Sequence, residues 1–241
     1  MNDNVESRSK KIVITRLDEV FKPLGYKRKL TDGIDYFRVT EQHTDAFYAL
    51  LTRDAIEGSG YYRGYTEVNE ILFAVKEQLS RPFFVFWDEK KTHLMTIYDY
   101  SVVNEWGAYG EEAFTVKYRK WLSIDSPKAL NDYLDWYISY LLGEGKEFLD
   151  YYAYLPNILK KMDELDKTNT YWGEKEIGIL AHASDPYFSG LVISKLCNDP
   201  KFDEKLERLN AYYSKDENEE DLYAFEKLKE ILERVEPRYN V

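Results

Sequence analysis

The sequence predicts an α+β protein: a mainly antiparallel sheet flanked by helices, followed by a C-terminal helical region. Three observations carry that expectation. Before position 124, apolar residues switch between helical spacing and short aromatic runs. An Asp32-Gly33 pair offers the positive φ angles of a tight hairpin turn, and beyond "SIDSP" (123–127) every apolar pattern is helical. The expected organisation is a helix-flanked sheet over 1–124 and a helical region over 125–241, which either stands alone or packs on the sheet as one domain.

The elements follow in chain order. Val13, Leu17, Val20, Phe21 and Leu24 form one helical stripe, which Pro23 and Gly25 bring to an end. "YKRKL" and "IDYFRVT" flank the turn as two antiparallel strands, and "AFYALLT" is short and aromatic enough to be a third. Thr66 caps a helix whose apolar face is Val68, Ile71, Leu72, Val75 and Leu79, and Pro82 prevents it continuing. "FFVFW" (83–87) has no polar alternation and predicts a strand covered on both faces. "HLMTIYD" and "AFTVKYR" complete the sheet, the second alternating like a strand with one wet face.

Ser126 and Pro127 open the helical region as cap and first helical residue. Leu130, Tyr133, Leu134, Tyr137, Ile138 and Leu141 form one face, and "GEG" (143–145) interrupts it. Phe148, Leu149, Tyr152, Leu155, Ile158, Leu159 and Met162 then make the second arm of a helical hairpin. Polar stretches "DKTNTYWGEK" and "YSKDENEED" separate later helices at "YFSGLVISKLC", "FDEKLERLNAYY" and "LYAFEKLKEILERV". The segment "YLDWYISYLLGEGKEFLDYYAYLP" is crowded with tyrosines, and their phase sorts them. Tyr133, Tyr137 and Tyr152 fall on the buried stripes, whereas Trp136, Tyr140, Tyr151 and Tyr154 fall off them and are either solvent-exposed, part of an interface or, the favoured expectation, packed against the sheet.

Composition narrows the function classes. A chain of 241 residues that is 44% hydrophobic builds a core without covalent staples, and one cysteine, Cys197, forms no internal disulfide, so a cytoplasmic setting is expected. No secretory leader or membrane span is legible. Lys and Arg number 33 against 44 Asp and Glu, a net charge of -11 that repels nucleic acid and anionic lipid and favours a basic protein as partner.

No constellation points to catalysis. His43, His93 and His182 share no helix face, and neither zinc-finger spacing nor H-E-x-x-H occurs, so no metal or other cofactor is expected. The serines lack a nucleophile elbow, and Cys197 sits in an apolar run that suits a packed, inert thiol. "GSGYYRG" (58–64) departs from the phosphate-binding fingerprints and reads as a flexible loop, yet Tyr61, Tyr62 and Arg63 are residue types enriched in protein interfaces. "NEWGAYGEEAF" (104–114) places Trp106 and Tyr109 beside Glu111 and Glu112, aromatic anchors next to carboxylates that suit a cationic partner. The candidate partner-binding residues are thus Tyr61, Tyr62, Trp106, Tyr109, Glu111 and Glu112.

The order of helix, "PLGYKRK" junction, hairpin, sheet and "LNDYLDWYISYLL" helix resembles a group of small bacterial α+β domains, some of them immunity proteins encoded beside polymorphic toxins. The resemblance covers about the first two-thirds of the chain. It implies stoichiometric occlusion of a basic toxin without turnover. The alternative is a small-ligand binder or enzyme with a pocket between sheet and helices, lined by rings such as Trp87, Tyr98, Trp136 and Tyr140.

Overall fold

The computed structural model describes residues 3–30, 33–51, 56–78, 94–99, 127–174, 177–181, 185–215 and 219–241. The fold is α+β, with antiparallel strand pairing and its helices concentrated toward the C-terminus. Strands β1 (Lys27–Leu30), β2 (Ile34–Val39), β3 (His43–Leu51), β5 (Tyr62–Tyr65) and β6 (Ile97–Tyr98) follow one another in that order across the sheet, and β4 (Ile56–Gly58) pairs with β3. Two compact units are present: one of residues 1–40, 45–62 and 99–150, the other of 41–44, 63–98 and 151–241. Expected strands at "FFVFW" and "AFTVKYR" lie outside the described residues.

In the first unit, helix α1 (Asp3–Phe21) buries Val13, Leu17 and Phe21, one residue per turn. Its end is built by Gly25 at φ +88: the Tyr26 amide donates to the Phe21 carbonyl and the Gly25 amide to the Lys22 carbonyl. This paired closure needs a left-handed residue, which glycine adopts without a Cβ penalty, and it brings the Tyr26 ring edge-on to Phe21 at 5.6 Å. The chain is thereby aimed into the hairpin, whose register runs from Lys27 opposite Phe37 to Leu30 opposite Ile34.

Ile34 and Tyr36 of β2 point inward with Phe47 and Ala49 of β3. Tyr36 stacks on Phe47 at 5.1 Å, and Phe21 meets Phe47 at 4.7 Å. Helix α3 (Pro127–Leu142) lies on α1 and buries Leu130, Tyr133, Leu134, Tyr137 and Leu141, a stripe of 3- and 4-residue steps. The Tyr137 hydroxyl sits 2.8 Å from the Ser59 carbonyl and 3.0 Å from that of Tyr48, sharing its proton between them. Helix α4 (Glu144–Tyr151) resumes at once, so "GEG" interrupts by a single residue, Gly143.

The expected second arm of the helical hairpin is two helices, not one. Helix α4 stops at Tyr151, and α5 (Leu155–Lys167) begins with Pro156 in its first turn. Proline has no amide to donate and its ring collides with the carbonyl four residues back, so the helix breaks over 152–154. Tyr151 and Tyr154 are left exposed, whereas Tyr140 is buried and Trp136 half-buried.

The second unit is organised about α6 (Pro186–Leu196), which is buried over most of its length and packs on α2 (Thr66–Gln78), α5, α7 (Phe202–Tyr213) and α8 (Glu219–Leu232). Asp185 caps α6 by accepting the Tyr187 amide at 2.7 Å, and Pro186 occupies its first turn. Residues 179–181 run beside β6, with Tyr98 and Ala181 amides donating to the carbonyls of Ile179 and Thr96. The C-terminal tail folds back: the amides of Arg238 and Tyr239 reach the Leu196 carbonyl, and the Tyr239 hydroxyl donates to Glu67 at 2.8 Å. No helix among the described residues is long and apolar enough to cross a membrane.

Candidate partner-binding site

The most elaborate polar construction among the described residues lies in the second unit, around Trp172. It starts from a backbone reversal. Asn169 takes φ +51, and the amides of Thr170 and Asn169 close on the carbonyls of Leu165 and Asp166, ending α5. The chain returns along the helix end and buries Trp172, whose indole N–H donates to Asp166 at 3.0 Å. Gly190 of α6 lies beneath the ring; an added Cβ there would stand 2.4 Å from it.

Helix α7 supplies two cations to the same tryptophan. Lys205 is only 3% exposed; its ammonium lies 5.9 Å from the indole centroid and 2.7 Å from both Asp163 and Asp199. Asp199 is itself buried and accepts the Lys201 amide with its other oxygen at 2.9 Å. Two carboxylates around one ammonium satisfy the rule that buried charge must be matched. One turn on, the Arg208 guanidinium lies 5.3 Å from the indole centroid and pairs with Asp166 at 2.9 Å, its side chain half exposed.

Outside this buried frame runs a chain of tyrosines. Tyr171 meets Tyr187 at 5.0 Å, Tyr187 meets Tyr212 at 5.4 Å, and Tyr212 meets Tyr213 at 5.1 Å, all edge to face. The chain passes from surface to core: Tyr212 is 53% exposed, whereas Tyr213 is buried, stacks on Phe225 and donates to Asp185 at 2.7 Å. Burial, and then the Asp185 charge, push the Tyr213 hydroxyl well above the usual tyrosine range. The Tyr187 hydroxyl is raised too, by burial first and then by Tyr212 and Asp185, with Arg208 opposing.

Two depressions flank Arg208. One of about 250 Å³ is walled by Tyr171, Tyr187 and Arg208, with Asn169 and Thr170 at its rim. The other, of about 500 Å³, lies between Arg208, Tyr212 and Lys215. The surface therefore presents amphipathic rings and a guanidinium whose positions are fixed from beneath, the residue types that anchor protein interfaces.

The residues singled out from sequence fall elsewhere. Tyr61 is 2% exposed: its ring abuts Phe47 and Tyr26, and burial, then Tyr26, raise its hydroxyl far above the ordinary value. Arg63 is 3% exposed. Residues 58–61 are all buried, so this stretch is a packed connection into β5 instead of a flexible loop, its glycines admitting close neighbours. Tyr62 keeps partial exposure and stacks on Tyr48 at 6.3 Å. Trp106, Tyr109, Glu111 and Glu112 lie outside the described residues.

For the pocket reading, Trp136 and Tyr140 stack on each other at 6.2 Å, and the Tyr140 hydroxyl donates to buried Asp99. Tyr98 is half-buried in β6, and Trp87 lies outside the described residues. Cys197 is buried, and burial, then Glu67 and Asp199, push its thiol up to about 12, far from a nucleophile's range. No group of three or more His, Cys, Asp or Glu is placed to hold a metal ion among the described residues. His43 opens β3; His93 and His182 lie outside them.

Sequence reasoning missed Tyr171, Tyr187, Arg208 and Tyr212, which lie in three separate local patterns. One local signal existed: the Tyr212-Tyr213 pair at a helix end cannot place both rings in one core. Comparison with protein-family models, with curated proteins and with solved structures yields no match.

Proposed function

We propose that the chain is a non-catalytic protein-binding module, acting inside the cell, that holds a basic partner by acidic and aromatic surface. The observation that carries this reading is the tyrosine chain Tyr171–Tyr187–Tyr212 around Arg208, held at the surface by the buried Trp172–Lys205 frame. Rings fixed in place before binding lose little conformational freedom when a partner docks, which lengthens residence. The net charge of -11 supports the second half of the reading, since surplus carboxylates steer a cationic face and speed encounter. Occlusion of a basic toxin, which the N-terminal resemblance implies, is the concrete form of this function.

The test is affinity capture from the native host with wild type and Tyr212→Ala side by side. The reading expects one basic protein retained in equal amount by wild type and reduced about tenfold or more by the variant. Association of that protein should slow steeply between low and physiological ionic strength. Equal retention by both baits, or an on-rate indifferent to salt, overturns it.

A further inference from the structure

A second surface lies where α7 meets α8, away from the tyrosine chain. These helices pack on each other and on α6, leaving a groove of about 510 Å³. Its floor is apolar: Phe202 and Leu206 of α7 are half-buried, and Leu232 of α8 closes the bottom. The rim is charged and unbalanced, with Asp203, Glu226, Glu230 and Glu233 against Lys195 and Lys229.

Both lysines are already engaged. Lys229 pairs with Glu226 at 2.6 Å and donates to Asn210 at 2.9 Å, and the Lys195 ammonium lies 5.4 Å from the Phe202 ring centroid. Lys227 reaches Glu230 from the neighbouring position at 2.9 Å. Asp203 and Glu233 are exposed and make no ion pair among the described residues. An apolar trough with surplus negative charge at its edges is complementary to something apolar along one line and positive beside it.

We propose that this groove docks an amphipathic helix of another protein, one that lays leucine-type side chains on Phe202 and Leu206 and sets lysine or arginine against Asp203 and Glu233. A helix suits the site because two adjacent helices form a linear trough, and apolar anchors spaced three and four residues apart enter such a trough from one face. A second copy of this chain is a poor occupant, since two molecules of charge -11 repel. The inference rests on the reading that the chain binds protein, but it uses none of the residues of the tyrosine face.

The probe is a fluorescein-labelled leucine–lysine peptide of about 14 residues, roughly four helical turns, with its leucines on one face. Fluorescence anisotropy with the full chain follows its binding. Controls are the same composition scrambled so that no face is apolar, and an analogue with glutamate for lysine. The proposal expects the amphipathic cationic peptide to bind about tenfold or more tightly than either control, and Asp203→Lys/Glu233→Lys to weaken it by a similar factor. Those reversals are at exposed positions, so folding is preserved; Leu206→Asp, accepted only if its Tm matches wild type, tests the floor. Tyr212→Ala should leave peptide binding unchanged.

Equal binding of the scrambled peptide, or undiminished binding by the charge-reversed variant, overturns the proposal. So does light scattering that shows a dimer which Leu206→Asp dissolves, because the occupant is then a second copy. Failure here is separable from failure of the tyrosine face. A host protein captured by wild type, lost by Tyr212→Ala and kept by Asp203→Lys/Glu233→Lys rejects the groove and leaves the other reading standing.

Discussion

Replacing Lys205 with methionine tests whether the Trp172 frame stabilises the second unit. Methionine keeps most of the apolar stem and removes only the ammonium. Two carboxylates lose their partner, but unequally. The Asp163 side chain is 27% exposed and retains Lys201 at 3.9 Å, so water and a second cation screen it. The Asp199 side chain is 1% exposed and keeps only the Lys201 amide, so its charge remains buried with one hydrogen bond. Removing one partner of a buried pair costs about 3–5 kcal/mol, and the surviving amide places Lys205→Met at the low end, about 3 kcal/mol.

For a chain of this size each kcal/mol moves Tm by about 2–4 °C, so a fall of about 6–12 °C is expected by calorimetry. Lys205→Met/Asp199→Asn removes the stranded charge and should recover most of the loss. A single variant within about 1 kcal/mol of wild type would put this pair among solvent-screened surface contacts, and the reasoning would fail. A double variant no more stable than the single would refute it equally, by showing that Asp199 bears none of the cost.

Tyr137→Phe leaves two carbonyls, of Ser59 and Tyr48, without their shared donor in the first unit; a loss of about 1–3 kcal/mol is expected in urea titration, and an unchanged midpoint would contradict it. The buried Cys197 thiol, pushed up to about 12, should react with Ellman's reagent at pH 8 only as fast as the protein opens, so a native rate like that of a free thiol would count against its burial. Tyr239, half-buried and hydrogen-bonded to Glu67, holds its proton up to about 12 against 10.0 for the free group. The folded state thus binds that proton more tightly, so its contribution is complete below pH 10 and lost between pH 10 and about 12. Tyr239→Phe should therefore show a lower Tm at pH 8 but a shallower fall over that interval, and parallel curves would argue that the tail hydroxyl contributes nothing.

What the sequence discloses depends on how far apart the interacting residues lie. The stripe and the stop at Gly25 are local, and the structure buries Val13, Leu17 and Phe21 and half-buries Val20 as expected, whereas Leu24 lies past the helix end and is 46% exposed. The pairing of the two strands is equally local, Leu30 standing opposite Ile34, but Gly33 does not take the positive φ expected of the turn, and Thr31 and Asp32 lie outside the described residues. The Lys205 frame is the opposite case: Asp163 stands 42 residues from Lys205, and no periodicity in α7 distinguishes a lysine that will be buried from one that will be solvated. "DKTNTYWGEK" reads as a polar connection because its turn signal is Asn169 in a left-handed conformation, not glycine, and the reversal that buries Trp172 leaves no hydrophobic pattern. In "GSGYYRG" the glycines read as backbone freedom, whereas in the fold they permit close contact, and Tyr61 is buried.

The tyrosines themselves supply a way to separate frame from surface. A buried tyrosine needs an acceptor for its hydroxyl, and three of the buried rings show theirs plainly: Tyr36 donates to Asp18 at 2.8 Å, Tyr137 to Ser59, Tyr213 to Asp185. Tyr212 is exposed and its hydroxyl finds no acceptor among the described residues, so folding makes no use of that oxygen. Tyrosine-to-phenylalanine exchange should divide the set accordingly. Tyr36→Phe and Tyr213→Phe each remove a hydrogen bond to a carboxylate and should cost about 1.5–3 kcal/mol, whereas Tyr212→Phe should leave stability within about 0.5 kcal/mol of wild type. If Tyr212→Phe also weakens capture of a partner, the hydroxyl is used between molecules; if only Tyr212→Ala does, the ring alone is the anchor. A stability loss at Tyr212 equal to that at Tyr213 would mean that both rings belong to the fold, and the tyrosine face would have no claim on a partner.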